Sequence, residues 1–266
     1  MGEQCYDPTL PFIGLEHAVT YPSSMRPLTP KEVFDYTEGQ LRSCGSVYCD
    51  LWLVSARIDV AERDILYEVL SADERDRAGR FRFEEDRARS IHGRGGLRRI
   101  LSSYCQVPPH RLEFYTGTYG KPQLVGGSAG LEFNVSHSGD YVLIGVTSGA
   151  QCGVDIECGR RDIEEVQIAE RFFCPREVEW LLRTGNGFLR LWTAKEAILK
   201  AMGSGLSVPL SDIDVTDVLE GKATSATLRP PHGYAQKFWV SELSLVPNYA
   251  AAIATVGEQR VVRPMS

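Results

Sequence analysis

The chain has 266 residues, of which 43% are hydrophobic and 24% are charged. This composition is typical of a globular protein, and the length suits one large domain or two moderate ones. The formal net charge is -6, which argues against a broad basic surface for nucleic acid and leaves room only for a local basic pocket.

The seven cysteines show no C-x-x-C pair and no Cys/His spacing of the kind that binds zinc. Their odd number favours reduced thiols in the cytoplasm. We find no secretory signal and no apolar stretch long enough to span a bilayer. These features predict a cytoplasmic protein that binds neither nucleic acid nor membrane.

Residues 1–45 are rich in proline and weakly periodic, and we predict an N-terminal extension that packs on or near the body. Within it, Thr29-Pro30-Lys31-Glu32 has the composition of a helix start. The body then opens with a β-branched apolar run, Val47–Ile58, which predicts a buried strand.

Helices are predicted next, over Val60–Leu70, after a cap at Ser71, and over Glu84–Gln106. The last two are rich in arginine, which hints at an anion site, although Glu/Arg pairs on a solvated face explain most of these arginines. Glycines at 93, 95 and 96 weaken the middle of the third helix, each by about 1 kcal/mol relative to alanine. Such glycines often mark the close approach of another backbone or of a ligand.

Antiparallel strands follow, and the same order of strand, helices and strands then occurs again. In the first half, the predicted strands are Leu112–Thr116, Leu131–Val135 and Tyr141–Val146, with a hairpin turn over Ser136–Asp140. In the second half, we predict a strand at Gln151–Glu157, helices at Asp162–Phe173, Pro175–Arg183 and Phe188–Met202, and strands at Phe238–Leu243 and Tyr249–Val256. This layout favours an α+β fold of two similar subdomains, 46–150 and 151–266.

Two acidic side chains stand out on the strand that opens the second half. Asp155 and Glu157 are two residues apart, so both lie on one face of an extended strand, opposite Val154 and Ile156. Two neighbouring carboxylates require a cation, either a basic side chain or a hard metal such as Mg2+.

The helix Phe188–Met202 carries a third carboxylate. Glu196 and Lys200 are four residues apart on one face, and taken alone they are an ordinary surface pair worth a few tenths of a kcal/mol. Taken with the two strand acids, they form a set suited to Mg2+ and a diphosphate.

Four motifs together resemble one enzyme family. They are Gly120-Lys121-Pro122, Phe133-Asn134-Val135-Ser136-His137-Ser138, Gly153-Val154-Asp155-Ile156-Glu157 and Trp192-Thr193-Ala194-Lys195-Glu196-Ala197-Ile198-Leu199-Lys200. In this order they are similar to the 4'-phosphopantetheinyl transferases of the Sfp type, in the W/KEA subgroup, over roughly residues 47–256. The resemblance implies a pseudo-twofold monomer of two similar α/β subdomains, each with a small, mostly antiparallel sheet packed on helices.

The resemblance also implies a reaction. Coenzyme A binds between the subdomains, and its phosphopantetheine moves to a serine hydroxyl of an apo acyl or peptidyl carrier protein, with release of adenosine 3',5'-bisphosphate. The setting that it implies is carrier activation for secondary metabolite biosynthesis, without a particular pathway. The carrier would dock on the helices at residues 162–183, an expectation that rests on position alone.

Residue roles follow from the same resemblance. Asp155, Glu157 and Glu196 would hold Mg2+, and the catalytic residues would be Asp155, Glu196 as base and Lys200 as the charge that neutralises the pyrophosphate. The residues implied to contact coenzyme A are Arg77, Arg89, Lys121, Ser136, His137, Lys195 and Lys200. Glu74 departs from the pattern, because a basic residue that would bind a coenzyme A phosphate is expected there.

Two alternatives stay open from the sequence. A non-catalytic scaffold of the same fold that binds coenzyme A or a nucleotide would need a damaged acid set, and none is visible. A metal-dependent phosphodiesterase or nuclease would need a basic substrate groove, which the net charge of -6 disfavours.

Overall fold

The computed structural model describes residues 48–57, 60–117, 120–126, 130–159, 164–203, 205–228, 235–257 and 261–265. The predicted extension, 1–45, and its helix start lie outside the described residues. The α-helices are α1 (Val60–Glu68), α2 (Ala72–Gly79), α3 (Glu84–Cys105), α4 (Glu165–Phe172), α5 (Pro175–Thr184), α6 (Phe188–Met202) and α7 (Thr216–Leu219). No helix among the described residues is long and apolar enough to cross a membrane.

The strands form two four-stranded sheets and one small hairpin. They are β1 (Tyr48–Ser55), β2 (Phe114–Thr116), β3 (Pro122–Leu124), β4 (Leu131–Ser138), β5 (Tyr141–Ser148), β6 (Cys152–Cys158), β7 (Ser225–Leu228), β8 (Gln236–Glu242), β9 (Tyr249–Val256) and β10 (Val261–Met265). The first sheet has the order β10-β1-β5-β4, the second has the order β6-β9-β8-β7, and β2 pairs with β3. The predicted α+β fold is confirmed.

Strand alternation separates the three largest apolar clusters of the described residues into layers, and a fourth, small cluster lies among α1, α2 and α3. On β1, Trp52 packs with Ile100 of α3, whereas its neighbour Leu51 packs with Val154 of the second sheet. This is the two-residue period of a strand that is buried on both faces. Helix α6 covers the other face of the second sheet, where Ile198 belongs to the third layer. The two sheets therefore share one apolar layer, with helices outside.

The strand β10 joins the first sheet from the far end of the chain. It runs parallel to β1, from the pair Tyr48 and Val261 to the pair Trp52 and Met265. The fully buried Asp50 carboxylate accepts from Arg263 Nε at 2.5 Å and Nη2 at 2.8 Å. Tyr104 donates its hydroxyl to the same carboxylate at 2.5 Å. The ion pair thus holds β10 in register, and the Tyr104 hydrogen bond ties α3 to the same carboxylate of β1.

Glu74 has a structural role on α2. Ser71 and Glu74 form a reciprocal capping box at the start of this helix. The Glu74 carboxylate also accepts from Arg94 Nε and from Arg98 Nε, both at 2.6 Å. These arginines hold the pKa of Glu74 below its usual range, against the effect of its burial. The residue that departs from the family pattern therefore ties α2 to α3.

One glycine of α3 allows the close approach of another backbone that the sequence analysis expected for the three. A Cβ at Gly95 would lie 2.8 Å from both the Cβ and the carbonyl oxygen of Leu66 on α1. At Gly93 the nearest atoms, the Val142 methyl groups, would be 3.9 Å away. Only Gly95 is therefore required for the crossing of α1 and α3.

Where β4 faces β6, the described residues form no strand pairing between the two sheets, and side chains of β4 join them. Val154 N donates to Asn134 Oδ1 at 2.9 Å, Ile156 N to Ser136 Oγ at 3.3 Å and Cys158 N to Ser138 Oγ at 3.0 Å. We call Asn134, Ser136 and Ser138 the joint. The predicted hairpin turn over Ser136–Asp140 was too long, because residues 136–138 belong to β4 and the turn is formed by residues 139 and 140.

Candidate active site

Gly153 lets helix α6 rest directly on strand β6. A Cβ at this position would overlap the backbone of Ala197 and Ala201. Only glycine leaves room for so close an approach. The approach places Glu196 and Lys200, on the same face of α6, beside the acids of β6.

A cleft of about 300 Å³ lies at this contact. It is lined by Val135, Ser136, His137, Asp155, Glu157, Trp192, Glu196 and Lys200. Strand β4 of the first sheet, strand β6 of the second sheet and helix α6 all contribute. The structure thus brings together six residues that the resemblance singled out, and it adds Trp192 and Val135 as an apolar wall.

Asp155 is the most deeply placed of the acids, with 2% of its surface exposed. Its Oδ1 lies 2.5 Å from Lys200 Nζ and accepts from Ser136 Oγ at 2.7 Å. Lys200 Nζ also donates to Ser136 Oγ at 3.0 Å. The expected cationic partner of the strand acids is therefore, in part, this lysine.

The second oxygen of Asp155 makes the site suited to a metal. Asp155 Oδ2 is buried and has no hydrogen-bond partner in the structure. A buried carboxylate oxygen without a donor is costly, and a hard cation would satisfy it. Glu157 and Glu196 face the same cleft, so the donor set is all oxygen, which is the kind that Mg2+ prefers.

Burial, together with nearby charges, shifts the pKa values of two cleft residues. Burial raises the pKa of Glu196, and the nearby carboxylates of Asp155 and Glu157 raise it further, whereas Lys200 opposes them. Desolvation lowers the pKa of His137, and the cations of Arg89 and Lys200 act in the same direction. The acids, the lysine and the histidine therefore form one electrostatic unit.

The structure corrects the expectation for Lys195. Its ammonium is fully buried, 2.6 Å from Glu177 Oε2, and donates to the carbonyl oxygens of Leu210 and Ile213. One residue away from Glu196, a helical side chain points about 100° around the axis, and here that direction is into the core. Lys195 is thus a structural cation and does not reach the cleft.

Lys195 also accounts for a second cluster of potential metal ligands. Among the described residues, ligand atoms of Cys174, Glu177 and Asp214 lie within 4.8 Å of one another. Lys195 is paired with Glu177, and Arg176 Nη1 donates to Asp214 at 3.1 Å. Both acids of this cluster are therefore already paired with basic side chains of the protein.

Three other expected coenzyme contacts lie outside the lining of the cleft. Arg89 pairs with Asp86 at 2.8 Å and donates to the carbonyl oxygen of Gly139 at 3.3 Å, beside the β4–β5 turn. Lys121 Nζ donates to the carbonyl oxygen of Cys152 at 3.0 Å. Arg77 is exposed on α2. Only Arg89 is close enough to His137 to influence its charge.

Comparisons with known proteins match both halves of the chain. The family described as the 4'-phosphopantetheinyl transferase superfamily matches residues 151–254, and the N-terminal part of 4'-phosphopantetheinyl transferases matches residues 60–148. The 4'-phosphopantetheinyl transferase HetI of Nostoc sp. (strain PCC 7120) is 38% identical over 216 residues, which cover 78% of this chain and 87% of HetI. The chain belongs to the 4'-phosphopantetheinyl transferase superfamily.

Further relatives agree with this assignment. The 4'-phosphopantetheinyl transferase psf-1 of Bacillus pumilus is 36% identical over 193 residues, 70% of this chain and 78% of psf-1. The transferase Sfp of Bacillus subtilis (strain 168) is 32% identical over 159 residues, 58% of this chain and 69% of Sfp. The chain is therefore an enzyme that transfers 4'-phosphopantetheine from coenzyme A to carrier proteins. The comparisons give no support to a non-catalytic scaffold.

Proposed function

We propose that Asp155 and Glu157 hold Mg2+ against the pyrophosphate of coenzyme A, with Glu196 as the third acid. The observation that carries this proposal is the buried, unpartnered Asp155 Oδ2 in a cleft lined by two further carboxylates. Mg2+ is usually bound by one or two carboxylates together with substrate phosphates and water. When bound, it would neutralise charge on the diphosphate as the bond to phosphorus breaks.

Lys200 and Glu196 have separate roles in this proposal. Lys200 lines the cleft with its Nζ 2.5 Å from Asp155 Oδ1, and its ammonium would neutralise charge on the departing phosphate. Glu196 lines the same cleft and accepts the proton of the carrier serine, directly or through a water molecule. Phosphoryl transfer needs such positioning and charge compensation more than covalent help from the protein.

The nucleotide end of coenzyme A is proposed to lie towards His137 and Arg89. These two side chains are close enough for the arginine to lower the pKa of the histidine. A phosphate placed between them would relieve this repulsion and gain charge-assisted hydrogen bonds. Arg77 and Lys121 are proposed to add contacts to the phosphates by moving from their present positions.

The partner is proposed to be an apo acyl or peptidyl carrier protein that docks on α4 and α5. Val166 and Phe172 of α4 are 39% and 44% exposed, and Arg171 lies over the Phe172 ring at 5.2 Å. Exposed apolar side chains with a cation beside one of them suit the acidic helix that presents the serine of a carrier. We further infer from the family resemblance that the enzyme acts as a monomer, and from its cysteine usage that it works in the cytoplasm.

Intact-mass spectrometry tests the proposed metal site. An apo carrier incubated with the enzyme, coenzyme A and Mg2+ should gain one phosphopantetheine, and EDTA should prevent the gain. Asp155→Asn, Glu157→Gln and Glu196→Gln should each slow transfer by about 100-fold or more, since each removes a charge from the cleft. The exposed Glu113→Gln is the matched control and should keep full activity. Full activity of Asp155→Asn, or transfer in EDTA, would refute the metal assignment.

A further inference from the structure

The joint between β4 and β6 repeats one hydrogen-bonding unit. Ser136 Oγ accepts from Ile156 N and donates to Asp155 Oδ1 at 2.7 Å. Two residues along, Ser138 Oγ accepts from Cys158 N and donates to Glu157 Oε2 at 2.8 Å. Each serine thus binds one backbone amide of β6 and the carboxylate of the residue just before that amide.

Asn134 binds a backbone amide of β6 as the serines do, but it binds no carboxylate. Its Oδ1 accepts from Val154 N at 2.9 Å, and the residue before that amide is Gly153, which has no side chain. The three members of the joint therefore share the task of binding β6, and only the two serines touch an acid of the cleft.

The chemistry of the hydroxyl fixes the direction of these contacts. A serine hydroxyl has one hydrogen to donate and two lone pairs to accept with. Ser136 accepts from Ile156 N and from Lys200 Nζ, so its single hydrogen is directed to Asp155 Oδ1. This contact leaves Oδ2 as the oxygen of Asp155 that has no hydrogen-bond partner.

We propose that Ser136 and Ser138 are positioning residues that orient the two metal-binding carboxylates. This inference rests on the proposed metal site. Each serine is hydrogen-bonded to one carboxylate oxygen and so restrains the rotamer of its acid. In Asp155 this leaves Oδ2 without a protein donor and available to a cation. Such partners of metal ligands raise affinity because the ligands no longer have to be ordered on binding. The inference gives Ser136 a different task from the coenzyme A contact implied by the resemblance.

The serine–carboxylate hydrogen bonds also connect the two halves of the enzyme. The serines belong to β4 in the first sheet, and the carboxylates belong to β6 in the second. The orientation of the acids therefore depends on the relative position of the sheets, and binding of coenzyme A between the halves would act on the same contacts.

The test measures the Kd for Mn2+ of three alanine variants by electron paramagnetic resonance. Excess coenzyme A is present and the carrier is left out, so that no turnover occurs. Ser136→Ala and Ser138→Ala should each raise the Kd for Mn2+ by about 10-fold, the usual loss for a partner of a metal ligand. They should also raise the KM for Mg2+ more than they lower kcat. Asn134→Ala should change the Kd less than about 2-fold, although it too removes one hydrogen bond to β6.

Several outcomes would overturn the inference. One is a wild-type Kd in both serine variants. Another is an equal loss in Asn134→Ala, which would mean that the joint only holds the sheets together. If Ser136→Ala fails to fold, Ser138→Ala decides the question alone. An Asp155→Asn variant separates the metal site from the positioning role. If this variant binds Mn2+ as the wild type does, the metal site itself is refuted. If it loses Mn2+ while both serine variants bind normally, only the positioning role is refuted.

Discussion

His92 is a nearly fully buried base that the chemistry of the cleft does not use. Only 1% of its surface is exposed, its Nδ1 lies 2.9 Å from the carbonyl oxygen of Ala56, and its Nε2 has no partner in the structure. A carbonyl only accepts, so Nδ1 carries the hydrogen and Nε2 is bare at neutral pH. Burial, with a further contribution from Arg63, lowers the pKa of His92 to about 4.

This shift predicts a pH dependence of stability. The ordinary pKa of 6.5 applies in the unfolded chain, and the folded value is about 4, so the unfolded state binds the extra proton first. Stability should therefore fall as the pH drops through this window, by about 2 kcal/mol between pH 7 and pH 5. Urea unfolding at both pH values measures the change. His92→Gln should remove most of this loss of stability, whereas His110→Gln, at an exposed position, should not. An equal loss between pH 7 and pH 5 in the wild type and both variants would contradict the prediction.

At the residue scale, sequence reasoning found most of the lining of the cleft, since Asp155, Glu157, Glu196 and Lys200 line it together. It failed at Lys195 because adjacent helical residues face different environments, and the depth of the core behind α6 is not visible in the motif. The joint was detectable in principle, since Asn134, Ser136 and Ser138 alternate along one strand. Polar alternation, however, is more common on a solvated face.

Among the elements, helix α3 offers a matched pair of glycines. Gly95→Ala should destabilise the protein by about 2 kcal/mol, because the new methyl would overlap Leu66 on α1. Gly93→Ala has ordinary contacts at 3.9 Å and should stabilise it by up to about 1 kcal/mol through helix propensity. Chemical denaturation of both variants checks the pair. A Gly95→Ala protein as stable as Gly93→Ala would mean that α1 and α3 do not cross so closely.

The bounds of α6 and β9, Phe188–Met202 and Tyr249–Val256, are those that the sequence predicted. Both have strong apolar patterns of their own. Strand β4 extends beyond its predicted end at Val135. Its last residues, Ser136–Ser138, are polar and were therefore predicted as a turn. Strand β10 was missed because nothing local marks it: it contains Pro264, and its pairing partner lies at the other end of the described chain. Local patterns therefore predicted the long helices and most of the long strands, whereas β3, β7, β10 and α7 were placed only by the structure.

At the scale of the whole molecule, the Asp50–Arg263 ion pair attaches β10 to the edge of the first sheet. Arg263→Met should lower the free energy of unfolding by about 3 kcal/mol or more, because it leaves a buried carboxylate without its cation. Asp50→Asn combined with Arg263→Met should recover part of that loss. A double-mutant cycle in denaturant measures the coupling between the two residues, and a coupling near zero would show that β10 is held by its strand pairing alone.

That pair also has a consequence for biosynthesis. Arg263 follows Asp50 by 213 residues, so at about 5–20 residues per second a ribosome makes the arginine roughly 10–40 s after the aspartate. During this interval β1 has an open edge on the side that β10 will cover, and its central carboxylate has no counter-charge. A nascent chain is therefore exposed to edge-to-edge association, whereas a denatured chain that refolds at full length has its closing strand from the start. Yield during translation should consequently depend on chaperones that shield this edge more than yield in refolding does.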